Sequence, residues 1–242
     1  MKKYGHLEKK KKRIVFIGDS LTHANISASY IELIKEKLES ENYDYINAGM
    51  NGELTYNVLL RLDSIIACEP DIITILIGTN DSNRDYNKDF DKDMEKRLNL
   101  PQIPTKKWFT DNYNDILTEL TTKTKAKIAI CSIPPAGEDI QHKACQISID
   151  YSKTIKELAT KYKVKYLPVS EKMLDYLRKN PTKPKYNFDE RIIEKAAYQH
   201  FLFRKDYDTI SKNYGFALLT DHVHLNTKGA EIIANHILEF IQ

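Results

Sequence analysis

The 242-residue chain has little cysteine: three residues, Cys68, Cys131 and Cys145. An odd number without CxxC spacing outlines neither a disulfide framework nor a thiolate metal site, so the three read as reduced thiols. Cys68 closes a helix-like stretch and Cys131 a strand-like one, which makes both packing residues, while Cys145 is the one expected at the surface. No HExxH spacing is present, and no metal or cofactor is expected. A surplus of one charge is also missing. Lysine and arginine number 37 against 34 aspartates and glutamates, a net charge of +3. Nothing global therefore calls for nucleic acid or an anionic membrane. The one basic run, Lys9 to Arg13, abuts an apolar strand and reads as a solvated leader. Long apolar runs are absent too. Nothing approaches the roughly 20 residues that span a bilayer. The apolar run Ile14 to Ile17 is too short for a signal-peptide core, so stable membrane insertion is not expected and a cytoplasmic location is.

What the chain does have is an alternation of short apolar runs with amphipathic stretches, the pattern of a parallel sheet covered by helices on both faces. Arg13–Ile17, Asp44–Asn47, Asp71–Ile77, Lys127–Cys131 and Val164–Leu167 read as five strands. Between them, Ile31, Ile34 and Leu38, then Val58, Leu59, Leu62, Ile65 and Ile66, recur at helical spacing. Tyr113, Ile116, Leu117 and Leu120 mark another helix, with Thr110 as its expected N-cap. A further helix is expected over Ile147–Tyr162, and the last over Lys228–Ile241. No linker or repeat divides the chain, so one domain is expected over residues 1–242. Two stretches break the rhythm, at about 82–110 and 173–219. They read as insertions that shape the edge of a site, the second partly helical around Glu190–Phe203.

Four short blocks carry candidate chemistry. Gly18-Asp19-Ser20-Leu21 follows the first strand, at the sheet edge where open α/β proteins bind ligands and where a helix N-terminus favours negative charge. Asn47-Ala-Gly-Met-Asn-Gly52 follows the second strand, and its glycine lets a backbone N–H approach a substrate closely. Gly78-Thr79-Asn80-Asp81 ends the third strand and offers a side-chain amide to an oxyanion. Asp221-His222-Val223-His224-Leu225-Asn226 precedes the last helix. Three residues apart, a carboxylate can hold the imidazole N–H. Each block alone also fits ordinary turn and capping chemistry.

Taken together and in this order, the blocks resemble the SGNH (GDSL-type) hydrolases. The resemblance rests on Ser20 in GDSL, Gly52, Asn80 in GTND, and Asp221 with His224 as a D-x-x-H pair. It implies a flavodoxin-like three-layer α/β/α fold with a five-stranded parallel sheet. It also implies a Ser20–His224–Asp221 triad and an oxyanion hole from the Ser20 and Gly52 amides and the Asn80 side chain. Asp19 and Asp81 would be supporting residues that hold loops. His222 departs from the small residue usual after the aspartate, and it leaves two histidines to choose between. The spacing and the following Leu225-Asn226 favour His224, with His222 at the pocket edge. His23 is a further pocket candidate, and His6, His142, His200 and His236 read as structural or surface residues. The implied substrate is a small-molecule ester. A carbohydrate O-acetyl ester and a longer acyl chain, as in lysophospholipases or thioesterases, both stay open. So do the aromatics Tyr176, Tyr186, Tyr198, Phe201, Phe203 and Tyr207, which either meet substrate or pack the insertion. A non-catalytic flavodoxin-like binding module is the rival class. It leaves the Asp221/His224 pair unexplained and lacks a G-x-G-x-x-G or Walker-type glycine run.

Overall fold

Apolar β-branched runs that bury both faces become central parallel strands. In the computed structural model, which describes residues 11–38, 42–87, 98–188 and 191–242, β1 (Lys12–Gly18) leads into α1 (Ser20–His23) and α2 (Tyr30–Lys37). β2 (Tyr43–Gly49) is followed by α3 (Thr55–Leu60) and α4 (Leu62–Ile66). Next come β3 (Ile72–Leu76), α5 (Thr79–Tyr86), α6 (Lys106–Lys123), β4 (Lys127–Cys131), α7 (Lys143–Tyr162) and β5 (Lys165–Leu167). The chain closes with α8 (Val169–Lys179), α9 (Arg191–Phe203), α10 (Tyr207–Tyr214) and α11 (Thr227–Ile241). Residues 1–10, with His6 and the start of the basic leader, lie outside the described residues, as do 88–97 within the first break in the rhythm.

All five strands are parallel, in the order β2-β1-β3-β4-β5. This is the flavodoxin-like order. Alternate strand residues feed two cores. Ile14, Phe16, Ile72, Leu76 and Leu167 pack with Ile31 and Ile34 of α2, Met173 of α8 and Ile233 and Ile237 of α11. Val15, Ile17, Ile73, Ile75 and Ile130 pack with Val58 of α3, Ile116 and Leu120 of α6 and Ile155 of α7. The result is a three-layer α/β/α sandwich. Its consequence for function lies at one point. The strand order reverses between β1 and β3, where Gly18 pairs with Leu76. The carboxyl ends of these neighbours therefore open the crevice that an open α/β sheet offers to a ligand.

Several local expectations are corrected. The N-cap of α6 is Thr105, whose Oγ1 accepts from the Trp108 amide at 3.2 Å. Thr110 lies a turn inside, and its hydroxyl donates to the Lys106 carbonyl at 2.8 Å, so the helix starts earlier than its apolar face suggests. Cys145 is fully buried, in the first turn of α7. Within the stretch 82–110, residues 82–86 complete α5, and Arg84 is among the largest fully buried side chains. The stretch 173–219 begins inside α8, and Met173, Leu177, Ile192, Ile210 and Phe216 all belong to the core.

Candidate active site

Three loops and one turn converge at the β1–β3 switch point. After β1, Asp19 caps the single turn α1 by accepting from the Leu21 amide at 3.0 Å. This fixes Ser20 at the first position of the helix, 5% exposed. After β3, Gly78 adopts φ +124°, and a Cβ there would stand 2.8 Å from the Phe109 ring. Only glycine allows the chain to turn so sharply into α5 and bring Asn80 to the sheet edge. After β2, Gly52 adopts φ +77°, the left-handed turn that the NAGMNG block needs.

The fourth piece is the turn before α11. Leu219 and Leu225 form an antiparallel bridge, and the Thr220 amide donates to the His224 carbonyl at 2.7 Å. Within this turn Asp221 Oδ1 accepts the amides of Val223 (2.6 Å) and His224 (2.8 Å), while Oδ2 meets His224 Nδ1 at 2.9 Å. The opposite ring nitrogen, His224 Nε2, lies 3.1 Å from Ser20 Oγ. A carboxylate, an imidazole and a hydroxyl thus form one hydrogen-bonded chain across 204 residues of sequence. Asp221 and His224 are both nearly inaccessible to solvent.

Electrostatics follow from that burial. Burial works against the charge of Asp221, but His224 and the two amides hold its carboxyl below the ordinary value. Burial likewise depresses the His224 imidazolium, but the charge and hydrogen bond of Asp221 outweigh it, so the ring keeps its proton above the ordinary histidine range. Asp19, fully buried beside Ser20, is pushed up to about 7 by desolvation. Asp81 is pushed up to about 6 by the same cause.

Asn80 Nδ2 donates to the Glu53 carbonyl at 2.9 Å. An amide nitrogen carries two hydrogens, so this bond aims the side chain and uses one of them. Asp81 accepts the Thr55 amide (3.2 Å) and hydroxyl (2.8 Å), which ties the loop after β3 to the loop after β2. Asp19 and Asp81 thus hold backbone. Residues that sequence patterns do not reveal help them. Arg61 makes paired bonds to Glu53 (2.9 and 2.7 Å to Oε2) and donates to the Ala48 carbonyl at 2.7 Å, bracing the Gly52 loop. The i to i+8 spacing of Glu53 and Arg61 spans the short helix α3, and no periodicity predicts it.

Of the two other pocket candidates, His23 is exposed and bonds Asn51 Oδ1. His222 faces away from Ser20: its Nε2 donates to the Asn187 carbonyl at 2.7 Å, and its ring packs on Phe188 and Phe216. There it lines a cavity of about 770 Å³ with His142, Arg178, Tyr186 and Phe188. That cavity borders the site at the Asp221–His224 turn, and Ser20, Gly52 and Asn80 do not line it. Among the described residues no cluster of His, Cys, Asp and Glu is arranged to hold a metal. No described helix is long and apolar enough to cross a membrane.

Sheet order, switch-point crevice and the serine–imidazole–carboxylate chain together define an α/β hydrolytic protein of the SGNH type. The sequence matches the GDSL-like lipase/acylhydrolase family over residues 16–232. The chain belongs to that family and is a carboxylic ester hydrolase. No curated protein matches it by direct sequence comparison. Solved structures with the same fold include an acetyl xylan esterase, AlAXEase, at 21% identity and a TM-score of 0.68, covering 95% of this chain and 100% of that one. Axe2, an acetylxylan esterase from Geobacillus stearothermophilus, is similar at 17% identity and a TM-score of 0.67, covering 96% of each chain. LAE5, an α/β hydrolase from the metagenome of Lake Arreo, Spain, is similar at 15% identity and a TM-score of 0.67 over 94% of each.

Proposed function

We propose that the protein hydrolyses small-acyl esters, carbohydrate O-acetyl esters first among them, by a two-step acyl transfer through Ser20. The observation that carries this reading is the hydrogen-bonded chain Ser20 Oγ–His224 Nε2, His224 Nδ1–Asp221. His224 takes the Ser20 proton as Oγ forms its bond to the ester carbonyl carbon, and the carbonyl π electrons move onto oxygen. The amides of Ser20 and Gly52 and the second Asn80 N–H receive that oxyanion. On collapse the C–O bond to the alcohol breaks, and His224 delivers the proton to the leaving alkoxide. Water, deprotonated by the same ring, then releases the acid and restores Ser20. The acetyl preference draws on the acetylxylan esterases that share the fold. The competing reading, longer acyl chains, draws on the exposed apolar row Tyr198, Phe201, Leu202 and Phe203 of α9.

A p-nitrophenyl ester series separates the two. The proposal expects serine-dependent turnover that is highest on acetate and falls with chain length. Turnover that rises with chain length supports the longer-acyl reading, and no turnover on any ester removes both.

Two further results follow from the geometry. Asn80→Ala removes one oxyanion donor and is expected to lower kcat by about 10²–10³ with little change in KM, measured by steady-state kinetics on the best ester. The pH profile of kcat/KM is expected to lose activity as pH falls through an acid limb centred above the ordinary histidine value of roughly 6.5, because His224 must be neutral to accept a proton and Asp221 holds its proton on. Asp19 titrates at about 7 in the same region, so the limb belongs to both groups. An acid limb centred well below 6 would count against the Asp221–His224 coupling.

A further inference from the structure

The turn that carries Asp221 and His224 lies outside the five strands, yet its two side chains must hold Ser20 Oγ and the imidazole within hydrogen-bond reach. Part of the answer is local: Thr220 and Leu225 are cross-bonded, and Asn226 caps α11 while its Nδ2 donates to the Ala217 carbonyl at 2.9 Å. These bonds tie residues 217–226 to one another and to α11. At the exit of the turn the Leu225 amide donates to Ser27 Oγ at 2.9 Å and its carbonyl accepts from the Ala28 amide at 3.0 Å, which joins that end to the loop after α1.

The entry to the turn is held from the loop after β4. Glu138 is 5% exposed and faces three successive backbone amides of the segment that enters the turn. Its Oε2 accepts from Ala217 at 2.8 Å, and its Oε1 accepts from Leu218 at 2.7 Å and Leu219 at 2.9 Å. Charge-assisted bonds of this kind are short and strong. One residue earlier, the Gly137 amide donates to the His222 carbonyl at 2.7 Å, so two consecutive residues grip the turn at its entry and at its middle. The loop that holds them is itself anchored, with the Ala136 amide donating to Ser148 Oγ on α7 at 3.1 Å. Burial pushes the Glu138 carboxyl above its ordinary value while the three amides pull the other way. A buried carboxylate is costly unless fully bonded, and nothing in the body of the sheet needs one here.

We infer that Glu138 is a positioning residue for catalysis: its carboxylate, bonded to the Ala217, Leu218 and Leu219 amides, locks the Asp221–His224 turn to the end of β4 and so sets the His224–Ser20 geometry. The inference rests on Asp221 and His224 acting with Ser20. Glu138 touches no reacting atom and acts through the turn alone. In Glu138→Gln the amide end turns N–H groups toward N–H donors, so at least one of the three bonds is lost. The entry to the turn is then held less tightly, and displacement by about 1 Å at a catalytic group costs on the order of 10²-fold.

The test compares wild type, Glu138→Gln, Glu138→Asp and Ser20→Ala on the best p-nitrophenyl ester, together with the low-field proton signal of the His224–Asp221 hydrogen bond. Glu138→Gln is expected to stay folded, to lose about 10–10²-fold in kcat at nearly unchanged KM, and to shift or broaden the low-field proton. Should Glu138→Gln not fold, Glu138→Asp carries the same expectation, because its shorter arm no longer reaches all three amides. A folded variant with wild-type kcat and an unmoved low-field proton overturns the inference. So does a kcat loss that matches the unfolded fraction with the proton unmoved. Ser20→Ala keeps the two claims apart: if it retains activity, the Ser20 reading fails whatever Glu138 does, whereas an inactive Ser20→Ala beside an unaffected Glu138 variant defeats the positioning role alone.

Discussion

Ser20→Ala is expected to lower kcat by about 10⁴–10⁶ while leaving the fold intact. The hydroxyl makes one side-chain hydrogen bond, to His224 Nε2 at 3.1 Å, and Ser20 keeps its place in α1 through the Asp19 cap, a bond to the Leu21 amide that the substitution does not touch. Thermal unfolding of the variant should therefore stay close to wild type. Residual turnover comes from the oxyanion donors and binding alone, which is why the expected loss is large without being total. Steady-state kinetics on p-nitrophenyl acetate, with circular dichroism as the folding control, reads both parts. Retained activity in the alanine variant would remove Ser20 as nucleophile.

The second large effect is expected at Asp221. Its two oxygens do different work: Oδ1 accepts two backbone amides, and Oδ2 faces His224 Nδ1. In Asp221→Asn the remaining carbonyl oxygen is best placed toward the two amides, which turns the NH₂ group toward Nδ1. The imidazole is then driven to the tautomer that carries its proton on Nε2, and that nitrogen can no longer take a proton from Ser20. A loss of about 10⁴ in kcat is expected. The acid limb of kcat/KM should also move down, because the charge that holds the His224 proton is gone. A variant that keeps its activity would show that another group orients the ring.

The four chemical blocks were legible because each occupies a point where the chain must turn at the end of a strand or before a helix. Gly18-Asp19-Ser20 leaves β1, Gly78-Thr79-Asn80 leaves β3, and Asn226 caps α11. The central strands β1, β3 and β4 were legible from their continuous apolar runs, since parallel strands buried on both faces carry that signature. Choosing His224 over His222 needed only spacing and the residues that follow. Its distance from Ser20, by contrast, depends on chain crossings that no local pattern encodes.

What escaped notice shares one property: it rests on polar groups. Glu138 reads as one acidic residue in a polar loop until the fold brings Ala217–Leu219 against it, 79 to 81 residues away. Arg61 and Glu53 brace the Gly52 loop across α3 through a polar pair that apolar periodicity does not register. Helix α5 was hidden because its buried face is Thr79, Asp81, Ser82, Asn83 and Arg84, all polar, and hydrophobic spacing cannot find such a face.

The central claim is that Ser20 Oγ is the nucleophile. Its most direct test is a fluorophosphonate probe followed by peptide mass spectrometry. The account predicts stoichiometric loss of esterase activity and a single covalent adduct on the peptide carrying Gly18-Asp19-Ser20-Leu21, absent in Ser20→Ala. Full inactivation with the adduct on any other residue, or labelling that survives the Ser20→Ala substitution, would contradict it.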